Sequence, residues 1–257
     1  MNLNAVHRLM KFARNAPNLL RGYTIYVDAD KLRLIDQVYQ SAIPDATSFV
    51  DLGGVWKVNG GYSLYTLRKY RLTNGTIVDT NYPEGLGQKL AQDSRLRILR
   101  GDFTNPDVIR AIGNVDVAYF FDVLLHQANP SWAEVLSAYA PVTRCMVIFN
   151  QQYVQGQNSI RLTHLPLEQY LTMTPHYREE VCRFVYDHAK EIHPEFHKPW
   201  IDIHQIFQWA ITDHDLVDVM SRLGYRQAYY RNCGRFSNLS AYENHAFVFM
   251  RNDTAGS

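Results

Sequence analysis

Five short apolar runs, each closed by an acid or an amide, constrain this chain more than any other feature. They are Ser48-Phe49-Val50-Asp51-Leu52, Thr76-Ile77-Val78-Asp79, Leu96 to Asp102-Phe103, Val115 to Asp122, and Arg144 to Asn150. Stretches with helical spacing separate them: Tyr62 to Tyr70, Gly85 to Asp93, Asn105 to Ile112 and Pro130 to Tyr139. The last two open with a cap signal, Asn105 before Pro106 and Asn129 before Pro130, since proline suits the first helical position. Strand and helix alternating in this way specify βαβ units, and so a parallel sheet covered by helices on both faces.

In such sheets ligands bind outside the carboxyl ends of the strands, near the switch point. Asp51, Asp79, Asp102, Asp122 and Asn150 fall at those ends. Polar loops explain one or two of these residues, but five in succession strain that explanation. Gly53 and Gly54 follow Asp51 directly. Glycine accepts positive φ and lets a ligand approach the main chain, although a tight turn without a ligand uses the same residues. The pair does not make the dinucleotide fingerprint. An acid ahead of the glycines would repel a pyrophosphate, whereas a ligand with a positive head group and a ribose would be accepted.

On these residues the chain resembles the class I S-adenosylmethionine-dependent methyltransferases of small-molecule type. The resemblance implies an α/β fold with a Rossmann-like, seven-stranded, mostly parallel sheet, helices on both faces and an antiparallel C-terminal hairpin. It implies S-adenosyl-L-methionine as cofactor and S-adenosyl-L-homocysteine as product. In that family the acidic-glycine turn faces the methionine part, here Asp51, Gly53 and Gly54; an acid after the second strand holds the ribose, here Asp79; and an acid-hydrophobic pair meets adenine, here Asp102 and Phe103. Phe121-Asp122-Val123-Leu124-Leu125-His126 looks like the family's segment beside the transferable methyl. One departure stands out: Val55 and Lys57 occupy places where the family often has further glycines. The motif-bearing part spans roughly 45–150. Near the C-terminus, Thr212 to Tyr225 reads as a capped amphipathic helix stopped by Gly224, followed by strands at Tyr225 to Tyr230 and His245 to Met250 that suit the family's hairpin.

Four segments are expected: an N-terminal helical cap at 1–44, a cofactor-binding core at 45–150, an aromatic substrate lid at 151–211, and a C-terminal helix with two strands at 212–257 completing the sheet. Within the cap, Met1 to Leu20 has apolar residues at helical spacing opposite His7, Arg8, Lys11 and Arg14. It reads as a targeting helix, a surface helix, or, the favoured reading, a helix packed on the cofactor pocket or a partner subunit. A further helix is expected from Asp30 to Gln40. The lid stretch is too long for an ordinary connection and interleaves six histidines between His164 and His204 with tyrosine and tryptophan. It reads either as a substrate cover, with Tyr153, His164 and His204 as substrate-binding candidates, or as a helical subdomain or dimer contact. His193 and His197 lie four apart around Pro194, which spoils a helical metal pair. No metal is expected: the amides at Asn150, Gln151 and Gln152 weaken a Mg²⁺ site, although one using Asp122 stays open.

The chain has 257 residues and a formal net charge of +1, which gives no footprint for nucleic acid or acidic membranes. Cys145, Cys182 and Cys233 are odd in number and widely spaced, as in a reduced, cytoplasmic compartment. No run reaches the ~18 apolar residues of a membrane span. The expected partner is a small-molecule acceptor, without nucleic acid or membrane, with self-association through the N-terminal helix or lid left open.

The expected activity is methyl transfer to a small molecule, most favourably to a sugar or phenolic hydroxyl. His126 is the first candidate base and Asp122 the candidate orienting acid. His126 reads equally well as a residue packing the start of the next helix, and Asp122 as a partner of the methionine amino group. The alternatives are N-methylation and a cofactor-binding but catalytically silent partner subunit. A nicotinamide oxidoreductase is disfavoured, because the acid precedes the glycines.

Overall fold

A computed structural model describes residues 27–174, 179–235 and 239–252. The expected N-terminal helix over Met1 to Leu20 lies outside them. Helix α1 spans Ala29–Gln37, capped by Asp28, whose side chain accepts from the Asp30 amide, and it runs on into a π-helical turn at Val38–Ala42. The chain then alternates through β1 (Ser48–Leu52), α2 (Gly61–Lys69), β2 (Asn74–Asp79), α3 (Leu86–Leu90), β3 (Leu96–Arg100), α4 (Pro106–Ile112), β4 (Val115–Phe121), α5 (Trp132–Tyr139) and β5 (Thr143–Tyr153). A segment with the short strands β6 (Ile160–Arg161) and β7 (Trp209–Ala210) and the helices α6 (Leu167–Met173) and α7 (Glu179–Asp187) comes next. Helix α8 (Asp213–Arg222) and strands β8 (Tyr225–Arg235) and β9 (Tyr242–Arg251) end the described chain.

The main sheet has seven strands in the order β3-β2-β1-β4-β5-β9-β8. Strands β1 to β5 are parallel, and β9 runs antiparallel to both β5 and β8. The expected mixed sheet and terminal hairpin are therefore present. The order reverses between β1 and β4, and this is the switch point at which a crevice opens.

Side chains alternate across the sheet, so each central strand feeds two cores. Phe49, Ile77, Val117, Tyr119 and Val147 face a layer that includes residues of α1, α2 and α3. Val50, Val78, Ala118, Phe120, Met146 and Ile148 face residues of α4, α5 and α8. Burial on both faces explains why these strands read as continuous apolar runs. Each fully buried large aliphatic or Phe side chain contributes on the order of 1.5–3 kcal/mol. A third apolar cluster, including Leu162, Tyr170, Cys182, Val185 and Ile206, belongs mainly to the segment between β5 and α8.

Several boundaries differ from expectation, among them β8, which runs past Tyr230 to Arg235, and β9, which starts at Tyr242. Helix α5 is capped by Ser131, not Asn129, because Ser131 and Glu134 form a capping box that satisfies two amides reciprocally. Strand β5 does not stop at Asn150; pairing with β9 carries it on to Tyr153 opposite Tyr242. Helix α3 is shorter than Gly85 to Asp93, because the Asp93 carboxylate turns back to accept from the backbone and guanidinium of Arg95.

Candidate active site

The turn after β1 is shaped around a buried acid. Asp51 is 1% exposed and accepts from the Ser63 hydroxyl at 2.7 Å. Burial pushes its carboxyl up to about 6, against the Ser63 hydrogen bond and the positive charge of Lys31, and with the help of the negative charge of Asp79. Gly54 is required here: a Cβ would lie 2.6 Å from the Asp51 carboxyl. Gly53 has φ +71, and a Cβ there would sit 2.8 Å from Val123. Lys57 (φ 59) and Asn59 (φ 51) adopt the left-handed conformation without being glycine. Lys57, which departs from the family pattern, thus keeps a backbone geometry that favours glycine.

Asp79 closes β2 and reaches across to this turn. One of its oxygens accepts from the Val55 amide at 3.0 Å and the other from the Asn81 amide at 3.2 Å. Each oxygen keeps lone-pair capacity for a further donor. Asp102 stands two residues beyond β3, held by the Thr104 amide and hydroxyl at 2.9 and 2.8 Å. Phe103 packs partly against the core, and its carbonyl accepts from the Tyr139 hydroxyl.

Asp122 follows β4 in a left-handed conformation, φ 57, with its amide donating to the Phe149 carbonyl. Its carboxylate is engaged on both oxygens, one by the Lys31 ammonium and the other by the Gln151 amide at 2.6 Å. Neither Lys31 nor Gln151 was singled out from the sequence as a site residue. A lysine in an amphipathic helix reads as solvent-facing, and only the docking of α1 buries it. The Lys31 ammonium lies 4.9 Å from the Phe149 ring centre and 5.6 Å from that of Tyr62. Burial alone would lower its pKa, but Asp122, Tyr62 and Asp28 together raise it above the ordinary lysine value.

His126 ends a 3-10 turn, not the start of a long helix. Its Nδ1 is 3.0 Å from the Ile206 carbonyl, which only accepts. Nδ1 therefore carries the proton, and in the neutral ring Nε2 keeps its lone pair. Burial lowers the pKa of this imidazole, with Ile206 and Asp122 opposing. Phe207 packs edge-to-face on the ring at 5.1 Å.

The segment after β5 is pinned over this edge. The Gln208 amide donates to the Leu125 carbonyl, the Trp209 indole to Gln127 and the Arg161 guanidinium to Ala128. Lys198 reaches Asp102 at 3.5 Å. His204 stands exposed, flanked by Phe196 at 4.9 Å; crowding lowers its pKa, and it feels the charges of Asp102, Lys198 and Asp79. Tyr153 and His164 lie apart. Tyr153 packs on Tyr242 and lines a hollow of about 330 Å³ with Thr212, Asp213 and His214, and His164 is exposed at the end of a 3-10 turn. No hydrogen bond, ion pair or ring contact among the described residues joins either to Asp122 or His126. Nor do three histidine, cysteine, aspartate or glutamate side chains among the described residues gather as a metal-binding group.

The order β3-β2-β1-β4-β5-β9-β8, with β9 antiparallel and polar residues at the open edge, is the arrangement that the sequence resemblance implied. No family model and no curated protein sequence matches the chain. Solved structures do match in fold. An O-methyltransferase family protein from Burkholderia thailandensis aligns with TM-score 0.53 and 15% identity, over 87% of this chain and 57% of that one. The chain thus spans little more than half of that protein. The Burkholderia thailandensis 1,6-didemethyltoxoflavin-N1-methyltransferase, solved with its substrate and S-adenosylhomocysteine, aligns with TM-score 0.56 and 12% identity, over 97% and 89% of the two chains. The N-terminal domain of EvdMO1 with S-adenosylhomocysteine bound aligns with TM-score 0.52 and 15% identity, over 86% and 80%. Among the described residues, no helix is long and apolar enough to cross a membrane.

Proposed function

We propose that this protein is an S-adenosylmethionine-dependent methyltransferase acting on a small-molecule hydroxyl, in the class of sugar or phenolic acceptors. The observation that carries the reading is the convergence of Asp51 with its glycine turn, Asp79 and Asp102 at the carboxyl ends of three adjacent strands, beside the switch point. The residues suit the cofactor. Gly53 and Gly54 leave main chain bare of side chains, buried Asp51 puts negative charge beneath that turn for a positive head group, Asp79 keeps acceptor capacity for ribose hydroxyls, and Asp102 with Phe103 offers a polar and an apolar contact for a base.

When bound, the cofactor supplies a methyl group already activated on a sulfonium. The chain then has to orient the acceptor, exclude water and take up a proton. His126 is assigned the proton, because Nδ1 is committed to Ile206 and burial, by lowering its pKa, leaves Nε2 unprotonated at neutral pH and free to accept. Asp122 is a poor base, since Lys31 and Gln151 engage both oxygens. The segment carrying Phe196, His204 and Phe207 supplies the cover, with aromatic faces beside imidazole tips.

Calorimetric titration with S-adenosylhomocysteine, with NAD⁺ as control, tests the reading. Micromolar affinity for the first alone, lost in Asp79→Ala, supports it; affinity for neither returns the silent-subunit alternative to the front.

A further inference from the structure

The Lys31–Asp122 pair has a chemical consequence for the acceptor. Helix α1 delivers Lys31 with its side chain 8% exposed, while that of Asp122 is 36% exposed and faces the open edge of the sheet. Rings of Phe149, Tyr62 and Phe121 surround the ammonium. Such a box favours a cation and excludes the water that would otherwise solvate it. Asp28 and Tyr62 on the α1 and α2 side, and Asp51 at the end of β1, also interact electrostatically with Lys31. On the β5 side the groups are amides: Gln151 donates to Asp122 and also to Asn244 of β9. The carboxylate after β4 is therefore already neutralised by a group that belongs to the protein.

We propose that Lys31 is a specificity-determining residue of this site: by neutralising Asp122 it excludes cationic amine acceptors and reserves the site for uncharged hydroxyl acceptors. This rests on the methyltransferase reading and deepens it. A sulfonium donor brings one positive charge to this edge, and Lys31 places a second beside the carboxylate that would have balanced a third. An ammonium acceptor would meet two cations where a lone Asp122 would have attracted it. A hydroxyl carries no such penalty, accepts from an ammonium and donates to a carboxylate or imidazole. Lys31 also clarifies Asp122, whose left-handed backbone and two engaged oxygens make it an anchored counter-ion, not a proton acceptor.

The test compares two ligands on the full chain by calorimetry: S-adenosylhomocysteine, which is uncharged at sulfur, and sinefungin, which carries an amine-bearing carbon in place of the sulfonium and its methyl. The quantity read is the ratio of their affinities. In the wild type, sinefungin is expected to bind no tighter than S-adenosylhomocysteine. Lys31→Met is expected to shift the ratio towards sinefungin by fivefold or more, and Lys31→Arg to keep the wild-type ratio. Asp122→Asn should shift it fivefold or more the other way, which covers the case in which Lys31→Met does not fold. A ratio that moves less than fivefold in the folded variants overturns the proposal while leaving the cofactor assignment standing. A wild type that binds neither ligand overturns both.

Discussion

Asp51 is a buried carboxyl that changes charge near pH 6, so its environment makes two predictions. Its folded pKa lies above the unfolded value. The stability it contributes is therefore fully present below the unfolded value near 3.8 and lost as pH rises through about 6. Asp51→Asn should remove that slope and recover up to about 3 kcal/mol at pH 7, measured by urea unfolding across pH 4 to 8. Affinity for a ligand with a positive head group should show the opposite trend, strengthening as pH rises through about 6 in the wild type but not in the variant. His126 is expected to act on turnover alone: His126→Ala should leave the S-adenosylhomocysteine affinity unchanged and lower kcat by roughly 10²–10⁴. Because burial depresses this imidazole, the acid limb of the rate profile should fall below its ordinary value of 6.5. Retained turnover would transfer the proton to another group. The strand-end positions of Asp51, Asp79 and Asp102 were readable from sequence because each closes an apolar run. Lys31 and Gln151 were not, since nothing local marks a lysine for burial or an amide for a carboxylate elsewhere in the chain.

Among the elements, the strands were legible because burial on both faces leaves an uninterrupted apolar run, and their ends were less so. Helix α5 shows why: Asn129-Pro130 offers one start signal and Ser131 another, and the capping box with Glu134 decides between them. At the other edge of the sheet from the site, Asp116 at the start of β4 joins three strands. It accepts from the amides and hydroxyls of Thr47 and Ser48 ahead of and within β1, and pairs with Arg144 of β5. These hydrogen bonds outweigh burial and hold its carboxyl at about 2. That stability is present above the unfolded pKa and lost as pH falls through about 2. Asp116→Ala should cost roughly 2 kcal/mol at pH 7, with the deficit shrinking in acid. An unchanged denaturation midpoint at pH 7 would show the knot to be energetically idle.

At the scale of the molecule, the segment between β5 and α8 carries its own apolar cluster, into which Leu125 and Tyr242 of the main fold also pack. Leu162, fully buried in that cluster, lies next to Arg161, whose guanidinium contacts Ala128 beyond β4. Leu162→Ala leaves a cavity that should cost about 2–5 kcal/mol. If the segment opens as a local unit, the variant should exchange amides faster across 160–174 and 179–210, while β1, β4 and β5 stay protected. Uniform acceleration across the sheet would instead show one cooperative unit. The same pinning explains how His126, His204 and Asp102 come to influence one another although they lie far apart in the chain.

Sequence alone determined the sheet: the period of the apolar runs, the acids that close them and the glycines after Asp51 are local consequences of strand burial and turn sterics. It also determined which edge of the sheet is polar. Tertiary structure decided the electrostatics of that edge, because a charge's partner depends on distance in space. Docking of α1 turned a helical lysine into the counter-ion of Asp122, and the segment after β5 set the tautomer of His126 through Ile206. No periodicity in the chain encodes either contact, since each joins residues separated by 80 or more positions.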